Sequence, residues 1–445
     1  MSDFPALAER VLAQARAAGA DDAEVFLHES RNFSTRVRQG TTETVTEATT
    51  RSLSLRVFVD QRMARASASD LNAETLDGLV RRAVERARLA NPDPCAGLPE
   101  EAAEAVSADG LGLYDPMLET LAPADKIALA RETEAIGLRL DPRIRNSGGA
   151  GFSAHCGQVW LANTRGFCGS YRASTCSLGL YLLGQEDRSQ AQVSDYWFSA
   201  ARQRAKLESP EAVARRTVER VQRHFGARKV ATQEVPVVFE PLLAGELLAD
   251  LFGAVSGEAI YLRRSFLVDA LGEKVAAAGV TIIDDGLLPG GLGTRPFDRE
   301  GVGSQRTVVV ESGVLRNYLC GSYAARKLGR KSTGNGSGNG ESPTNFFLAA
   351  GEKPPEEIIR SVERGLYVTR LIGQGVNLVT GDYSRGAFGL WIESGAFAYP
   401  VHEVTIGGTL RGMLEGVEAV GTDLDFRDPF AAPTIRIATM TVAGT

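Results

Sequence analysis

Closely spaced glycines mark the segment from Gly373 to Gly395, and this spacing constrains the fold more than any other feature of the chain. The segment reads GQGVNLVTGDYSRGAFGLWIESG. Glycine in an extended run lets a second backbone approach closely, because no Cβ occupies the space between the two chains. We therefore predict that this part of the chain forms strands that pack close to other backbone. Glycine and short strand-like runs extend back to about residue 230, which predicts a C-terminal unit of curved, mainly antiparallel sheet.

The N-terminal part changes from helical to strand-like periodicity and back. Apolar residues recur at helical spacing through residues 4–18, and Gly19 suits the end of a helix. Four runs then alternate apolar with polar side chains, which predicts a meander of antiparallel strands. These runs are residues 23–28, 33–37, 43–48 and 52–59. Helical periodicity returns over residues 71–89, so the first unit is predicted to be a helix, an antiparallel meander and a second helix.

A proline-rich stretch, residues 91–99, cannot hold regular structure for long and predicts a linker or long loop. Beyond it we predict a helix from Pro123 to Asp141, strands near 158–161, 167–171 and 177–183, and a helix capped by Ser209 that reaches about His224. A buried strand at 235–240 opens the second unit and leads into a helix at 242–252. The glycine-rich residues 332–341 are predicted to be a mobile loop rather than a packed element.

The predicted fold class is mixed α+β, in two domains. The first spans residues 1–228, with a further division near 91–121, and the second spans residues 229–445. The second is predicted to be β-rich.

Composition excludes several classes of function. The chain has 55 acidic and 49 basic side chains, and no run of lysine or arginine provides the positive surface that nucleic acid requires. No stretch approaches the roughly 18 apolar residues of a membrane span, and the first residues do not resemble a signal peptide. We therefore expect a cytoplasmic protein. The five cysteines show no C-x-x-C spacing, so free thiols are expected.

The sequence contains no motif for phosphate binding or for a serine nucleophile. Its glycine clusters do not match the spacings that place amides around a pyrophosphate, and no G-x-S-x-G elbow is present. The four histidines are isolated from one another in sequence. His402 and Glu403 lie in an alternating, strand-like run, His28 is expected to be a strand side chain, and His224 is expected to be a solvated cation at a helix end.

Several blocks resemble the TldD/PmbA family of metallopeptidase-related proteins, and more closely its PmbA branch, also called TldE. They are residues 247–254, 258–267, 301–306, 315–333, 381–386 and the glycine-rich segment described above. Similarity of pattern covers the chain from its first helix to about residue 444, and it implies that the second domain, residues 229–445, is peptidase-like. On this resemblance, residues 247–254 match the family's Leu-Leu-His-Glu-x-x-Gly-His pattern in frame.

The resemblance implies that the zinc-binding histidines of the active family member are replaced here by Ala249 and Ala254. Only Asp250 keeps an acid, where the family has glutamate, and a further cysteine ligand near the C-terminus is also absent. It implies no catalytic, cofactor or metal residue in this chain, with zinc expected only in a TldD-like partner. Read alone, the same residues also match a plain amphipathic helix packed into the core.

A peptidase of this type is expected to hold its substrate as an extended strand beside a sheet. Extended runs at 344–348, 381–386 and 387–391 are candidates for that edge, and an asparagine amide could grip a peptide backbone. The candidate peptide-binding residues are Asn345, Phe346, Gly381, Asp382, Tyr383, Ser384 and Arg385. The alternative is that these are ordinary core strands with glycine where two backbones cross.

Three functions remain open from the sequence. The first, implied by the resemblance, is the metal-free subunit of a TldD-type zinc metallopeptidase that acts on unfolded and precursor peptides, forming part of the substrate chamber in a heterodimer. The second is a homodimeric protein that binds peptides without hydrolysis. The third is a peptidase with a nonstandard site around Asp250. Neither nucleic acid nor membrane is expected as a partner.

Overall fold

The computed structural model describes residues 4–100, 107–185 and 192–444. The fold is mixed α+β, as predicted, with an N-terminal helix and antiparallel sheet followed by a C-terminal sheet domain. Among the described helices, none is long and apolar enough to cross a lipid bilayer.

Six antiparallel strands in the order β3-β2-β1-β4-β5-β6 form the N-terminal sheet. The strands are β1 Asp22–Arg38, β2 Thr41–Val59, β3 Arg62–Ala68, β4 Ile144–Asn163, β5 Cys168–Gln185 and β6 Gln192–Ala201. The helices of this half are α1 Phe4–Ala17, α2 Ala73–Leu89, α3 Met117–Thr120, α4 Pro123–Leu140 and α5 Pro210–Gln222. Two apolar clusters fill the space between this sheet and its helices, one under α1 and α2 and the other under α4 and α5.

The predicted helices are confirmed, whereas the predicted short strands merge into longer ones. β1 runs through both 23–28 and 33–37, and β2 runs through both 43–48 and 52–59. Polar residues between the predicted runs continue the ladder instead of ending it. Ser30 Oγ lies 2.8 Å from Thr50 Oγ1 on the neighbouring strand, so this hydroxyl is satisfied across the sheet.

Two further sheets build the C-terminal half. One has the order β10-β9-β8-β11-β16, and the other has the order β14-β13-β12-β7-β17-β15. The strands are β7 Gln233–Phe239, β8 Ile282–Asp285, β9 Arg306–Glu311, β10 Val314–Leu315, β11 Phe346–Leu348, β12 Arg364–Ile372, β13 Asp382–Glu393, β14 Ala396–Thr409, β15 Val417–Val420, β16 Phe430–Ala431 and β17 Ile435–Ala443. The helices are α6 Pro241–Val255, α7 Gly257–Tyr261, α8 Ser322–Lys327, α9 Pro355–Arg360 and α10 Leu410–Glu415.

The last of these sheets closes on itself. β17 pairs with β7 along one side, and its residues 441–443 pair with residues 405–407 of β14 on the other. A ring of five strands results, β14-β13-β12-β7-β17, and closure removes the open edges that a flat sheet would leave.

The glycine-rich residues 332–341 are partly packed into the protein, so the prediction of a segment without packing is wrong. Asn335 is fully buried and its amide donates to Asp284 Oδ2 at 2.7 Å. The Gly336 N–H donates to Asp298 Oδ2 at 2.7 Å. A Cβ at Gly336 would lie 2.7 Å from Glu300 Oε2. Glycine is needed here because the backbone approaches buried carboxylates too closely for a side chain.

Candidate functional site

Helix α6 carries Ala249, Asp250 and Ala254, the positions that correspond to the metal-site pattern described above. It begins at Pro241, directly after β7, and is continuous to Val255. Its apolar face is buried in the C-terminal core through Leu243, Leu247, Leu248, Leu251 and Phe252. Glu246, Ala249, Asp250 and Gly253 are only partly buried. Helical spacing therefore gives α6 one face committed to packing and one less buried face of small and acidic residues.

The two expected histidine positions do not face a common point. Ala249 lines a cleft, whereas Ala254 is fully buried in the core. Positions five apart on a straight helix differ by about 140° around its axis, and α6 continues without interruption through both positions. Within the described residues, no group of three or more histidine, cysteine, aspartate or glutamate side chains is arranged to hold a metal ion. This donor set does not fit zinc, which needs three or four lone-pair ligands around one point.

Asp250 lies near one positively charged side chain, Arg385, and one negatively charged side chain, Glu246. Burial raises its pKa above the ordinary value, Arg385 opposes the rise and Glu246 adds to it. Arg385 is itself fixed, because its Nη1 lies 2.7 Å from Glu246 Oε2 and its Nε donates to the Gly373 carbonyl at 3.0 Å. The fixed positive charge near Asp250 is therefore the guanidinium of Arg385.

The cleft beside α6 has a volume of about 690 Å³ and lies between the two halves of the chain. Residues of β6 and α5 form one wall, and the start of α6 with residues 423–430 forms the other. Trp197 of β6 has guanidinium groups over its ring, including those of Arg216 at 4.5 Å and Arg427 at 4.2 Å from the ring centroid. Arginine over an indole ring is a favourable cation–π contact, so this stack ties residue 427 of the C-terminal half to the N-terminal sheet.

A buried network of charges fixes α5 against the junction of β7 and α6. Arg220 Nη1 lies 2.7 Å from Glu240 Oε1, and its Nε lies 3.3 Å from Asp195 Oδ2. Its Nη2 donates to the Thr369 carbonyl at 3.0 Å. Burial raises the pKa of Asp195, but the hydrogen bond with His224 and the charge of Arg220 outweigh it and hold that pKa below the usual range. One wall of the cleft is thus positioned by one arginine that joins both halves of the chain.

His224 differs from the prediction of a solvated helix-end cation. It is buried, and its Nε2 lies 3.0 Å from Asp195 Oδ2. The reason is that α5 ends against the sheet, where Asp195 provides a buried acceptor. His28 is a strand side chain as expected, with its ring stacked 6.1 Å from that of His155.

The predicted peptide-binding residues divide into buried and surface groups. Asn345 is buried and its amide is fully engaged: Nδ2 donates to the Asp285 carbonyl and to Thr294 Oγ1, and Oδ1 accepts from the Gly293 N–H. Phe346 and Tyr383 lie in the core. Gly381 is buried with φ +82°, whereas Asp382 and Ser384 are exposed and Arg385 is partly buried. Residues 381–385 therefore lie at the start of β13, whereas Asn345 directly precedes β11 and Phe346 begins it, in another sheet.

The prediction that these strands offer an open edge is wrong. β13 is paired with β12 on one side and β14 on the other, and β11 lies between β8 and β16. Even the start of β13 is covered, because the Ser384 N–H donates to the Gly375 carbonyl at 2.7 Å. The alternative, core strands with glycine at close approaches of backbone, describes them: a Cβ at Gly389 would lie 2.2 Å from the Tyr367 carbonyl oxygen.

Known proteins resemble this chain along almost its whole length. Metalloprotease PmbA of Escherichia coli O157:H7 is 34% identical over 95% of this chain and 92% of its own length. A PmbA homologue of Haemophilus influenzae is 35% identical over the same shares. The chain belongs to the PmbA/TldD family. Three profiles of this family match it, described as PmbA/TldA metallopeptidase domain 1 at residues 23–87, the central domain at 117–225 and the C-terminal domain at 232–444.

Solved structures of similar fold agree with this membership. A Bacteroides thetaiotaomicron protein described as a proposed modulator of DNA gyrase has a TM-score of 0.93 and 27% identity, with all of both chains covered. TldE from Thermococcus kodakarensis has a TM-score of 0.89 at 21% identity, over 98% of this chain and all of that one. The latter likeness shows the fold alone.

The residues that line the cleft were not predicted from the sequence of this PmbA/TldD family member. The main ones are Tyr196, Glu246 and Arg427. A signal was present for two of them. The aromatic run Tyr196-Trp197-Phe198 is strand-like and too apolar for a loop, and Glu246 lies four residues before Asp250, on the same face of a helix. Arg427 had no such signal, because its role depends on a contact with a residue 230 positions away.

Proposed function

We propose that this chain is the subunit of a two-chain PmbA/TldD-type metallopeptidase that does not hold the zinc, and that it pairs with a TldD-like chain. One observation carries the proposal. On α6, alanines stand at both positions where the family pattern has its metal-binding histidines, one in the cleft and one in the core.

The chemistry of α6 supports this role. Alanine has no lone pair for a metal, and Asp250 alone cannot organise zinc and its water. Arg385 forms an ion pair with Glu246 and also lies near Asp250, so one positive charge of the chain itself partly offsets these two acidic side chains. The residues of this chain can therefore form the walls of a cleft and set its local charge, while the hydrolytic groups come from the partner.

The cleft supports an unfolded peptide as the substrate class. Its volume of about 690 Å³ falls in the range of sites for small ligands and short peptides. Its walls combine aromatic rings with both signs of charge, which suits main-chain recognition better than selection of one charged group.

The test is reconstitution. The chain is purified alone and again after coexpression with a TldD-like subunit, and zinc per chain and cleavage of an unfolded peptide are measured by plasma mass spectrometry and peptide mass spectrometry. We expect neither zinc nor cleavage from the chain alone, and cleavage from the pair.

Asp250→Asn provides the matched variant. In the pair, this substitution should leave cleavage unchanged, since the carboxylate has no hydrolytic role in the proposal. Stoichiometric zinc and turnover in the isolated chain, abolished by Asp250→Asn, would instead establish a nonstandard site and refute the proposal.

A second candidate function is peptide binding by a homodimer without hydrolysis, and the cleft favours it because peptide binding there needs no metal. Light scattering separates the two. A stable homodimer that binds peptide and ignores the TldD-like chain supports the second function and contradicts the first.

A further inference from the structure

β6 forms one edge of the N-terminal sheet and faces the interdomain cleft. Within residues 4–100, 107–185 and 192–444, its one strand partner is β5, which pairs with it from Gln192 to Ala201. No other strand of the described residues lies along its outer side. Tyr196, Trp197 and Phe198, in the middle of β6, line the cleft opposite α6.

The outward-facing backbone groups of β6 can be identified from their contacts. Ser194 and Phe198 direct their carbonyls away from β5, because these accept from Arg370 Nη1 at 3.2 Å and Arg427 Nη1 at 2.6 Å. Backbone groups of alternate residues point to the same side of a strand, so those of Tyr196 also face outward. The Tyr196 N–H is satisfied by its neighbour Asp195, whose Oδ1 lies at 2.7 Å.

Two edge groups are left open between these arginines, the Tyr196 carbonyl and the Phe198 N–H. Both groups face away from β5, and neither has a hydrogen-bond partner among the described residues. They are adjacent on the outer side of the strand, as one donor and one acceptor. An extended chain laid beside β6 would satisfy both, which is how sheet edges capture peptides.

The side chains beside these groups provide an apolar contact surface. Tyr196 is 43% exposed, and its ring stacks on that of Phe198 with centroids 6.3 Å apart. Across the cleft lie Gly245, Glu246 and Ala249 of α6. An exposed tyrosine ring that stacks on a half-buried phenylalanine, next to open backbone groups, is a feature of binding sites rather than of a solvated edge.

We propose that the edge of β6 binds an extended peptide by strand addition, with an apolar side chain of the peptide packed against Tyr196 and Phe198. The inference rests on the proposed function for the identity of the occupant, an unfolded peptide substrate. A strand from a second folded subunit is a poorer occupant, because Arg370 and Arg427 bracket the open edge. At about 3.3 Å per residue the bracketed run from Ser194 to Phe198 spans roughly 13 Å, enough for about four extended residues.

An N-methyl scan tests the backbone contact without altering the protein. The full-length chain is titrated against a fluorescein-labelled peptide of alternating valine and serine, and binding is followed by fluorescence anisotropy. Single N-methylation along the peptide should weaken binding by about tenfold at alternate positions only, because the added methyl group then faces β6, where it either blocks the N–H that donates to the Tyr196 carbonyl or clashes with the strand edge. A scan without this alternation overturns the proposal.

Substitutions at Phe198 locate the site. Phe198→Pro removes both the ring and the edge N–H, whereas Phe198→Ala removes the ring alone and is the matched control. We expect Phe198→Pro to bind the peptide about tenfold more weakly than Phe198→Ala, with both variants giving the wild-type circular dichroism spectrum. Equal affinities of the two variants would contradict strand addition at β6, and so would a Phe198→Pro chain that changes only its oligomeric state. If Phe198→Pro does not fold, the N-methyl scan on the wild-type chain decides.

The two proposals can fail separately. Peptide binding with the alternating pattern, in a chain that ignores a TldD-like subunit, would uphold the β6 site and refute the subunit role. Cleavage by the reconstituted pair, with peptide binding that is insensitive to the Phe198 variants, would do the opposite.

Discussion

Arg220 is the residue whose loss should most damage the contact between the two halves of the chain. Its side chain is 6% exposed and lies between the carboxylates of Asp195 and Glu240, which are also buried. Arg220→Met keeps the apolar stem and removes the charge. Each of the two buried carboxylates then keeps one weaker partner: Asp195 keeps His224 at 3.0 Å, and Glu240 keeps Arg223 at 3.7 Å.

Removing one partner of a buried ion pair costs about 3–5 kcal/mol. That cost is about a hundredfold to a few thousandfold in the unfolding equilibrium at 1.4 kcal/mol per factor of ten. The matched control is Arg216→Met, one helical turn earlier on α5. Arg216 is 53% exposed, lies 3.8 Å from Glu208 and 4.5 Å from the centre of the Trp197 ring, so the loss of both contacts should cost no more than about 2 kcal/mol.

The penalty should also depend on pH. Without Arg220, burial dominates and raises the pKa of Asp195 and Glu240 in the folded variant. A folded state that takes up protons more readily than the unfolded state is destabilised as pH rises. The deficit of Arg220→Met should therefore be largest near pH 8 and shrink toward pH 5.

Urea unfolding at both pH values measures this effect. Tryptophan fluorescence is a suitable probe, because Trp197 lies 5.5 Å from the Arg220 guanidinium. A midpoint for Arg220→Met equal to that of Arg216→Met, or a deficit that does not shrink at acid pH, would refute this account of the network.

Two further predictions concern packing and pH. A Cβ at Gly375 would lie 1.6 Å from the Ser384 carbonyl oxygen, so Gly375→Ala should lower the free energy of unfolding in urea by more than about 2 kcal/mol. The control is Gly386→Ala, where the nearest atoms to an added Cβ are 3.5 Å away and the change should be less than about 1 kcal/mol. Equal effects of the two substitutions would contradict the close approach at Gly375. Hydrogen bonds from Arg143 hold the pKa of Asp141 well below its usual range. A carboxyl group whose pKa is lower in the folded state stabilises the protein above the pKa of the unfolded state, 3.8, and this stabilisation is lost as the pH falls below that value. Since Arg143 is partly exposed, Asp141→Asn should cost about 1 kcal/mol at pH 7, and the difference between the two unfolding midpoints should narrow below pH 4; a constant difference would count against this assignment.

The sequence predicted local structure well where periodicity and capping determine it. The helix that follows Ser209 is an example, since its hydroxyl accepts from the Ala212 N–H at 3.2 Å and proline occupies the first turn. The helix that carries Ala249 is likewise predicted by its apolar periodicity. These features depend on residues only a few positions apart.

Features that depend on distant residues were not predictable. Strand lengths in β1 and β2 depend on cross-strand partners, and whether β13 has a free edge depends on β12 and β14. His224 could not be recognised as buried without the position of Asp195. The position of β6 at the edge of the N-terminal sheet was not predicted either, because the sequence analysis had not assigned these residues to a strand.

The closure of the last sheet has a consequence for synthesis. β17 fills the gap between β7 and β14, and it is translated after both of them. Until it emerges from the ribosome, each of these neighbours presents an unpaired row of amides and carbonyls, the kind of surface that recruits wrong partners. The nascent C-terminal half therefore depends on β17 for protection against misassembly. A chain whose translation stops before residue 435 would be prone to aggregate.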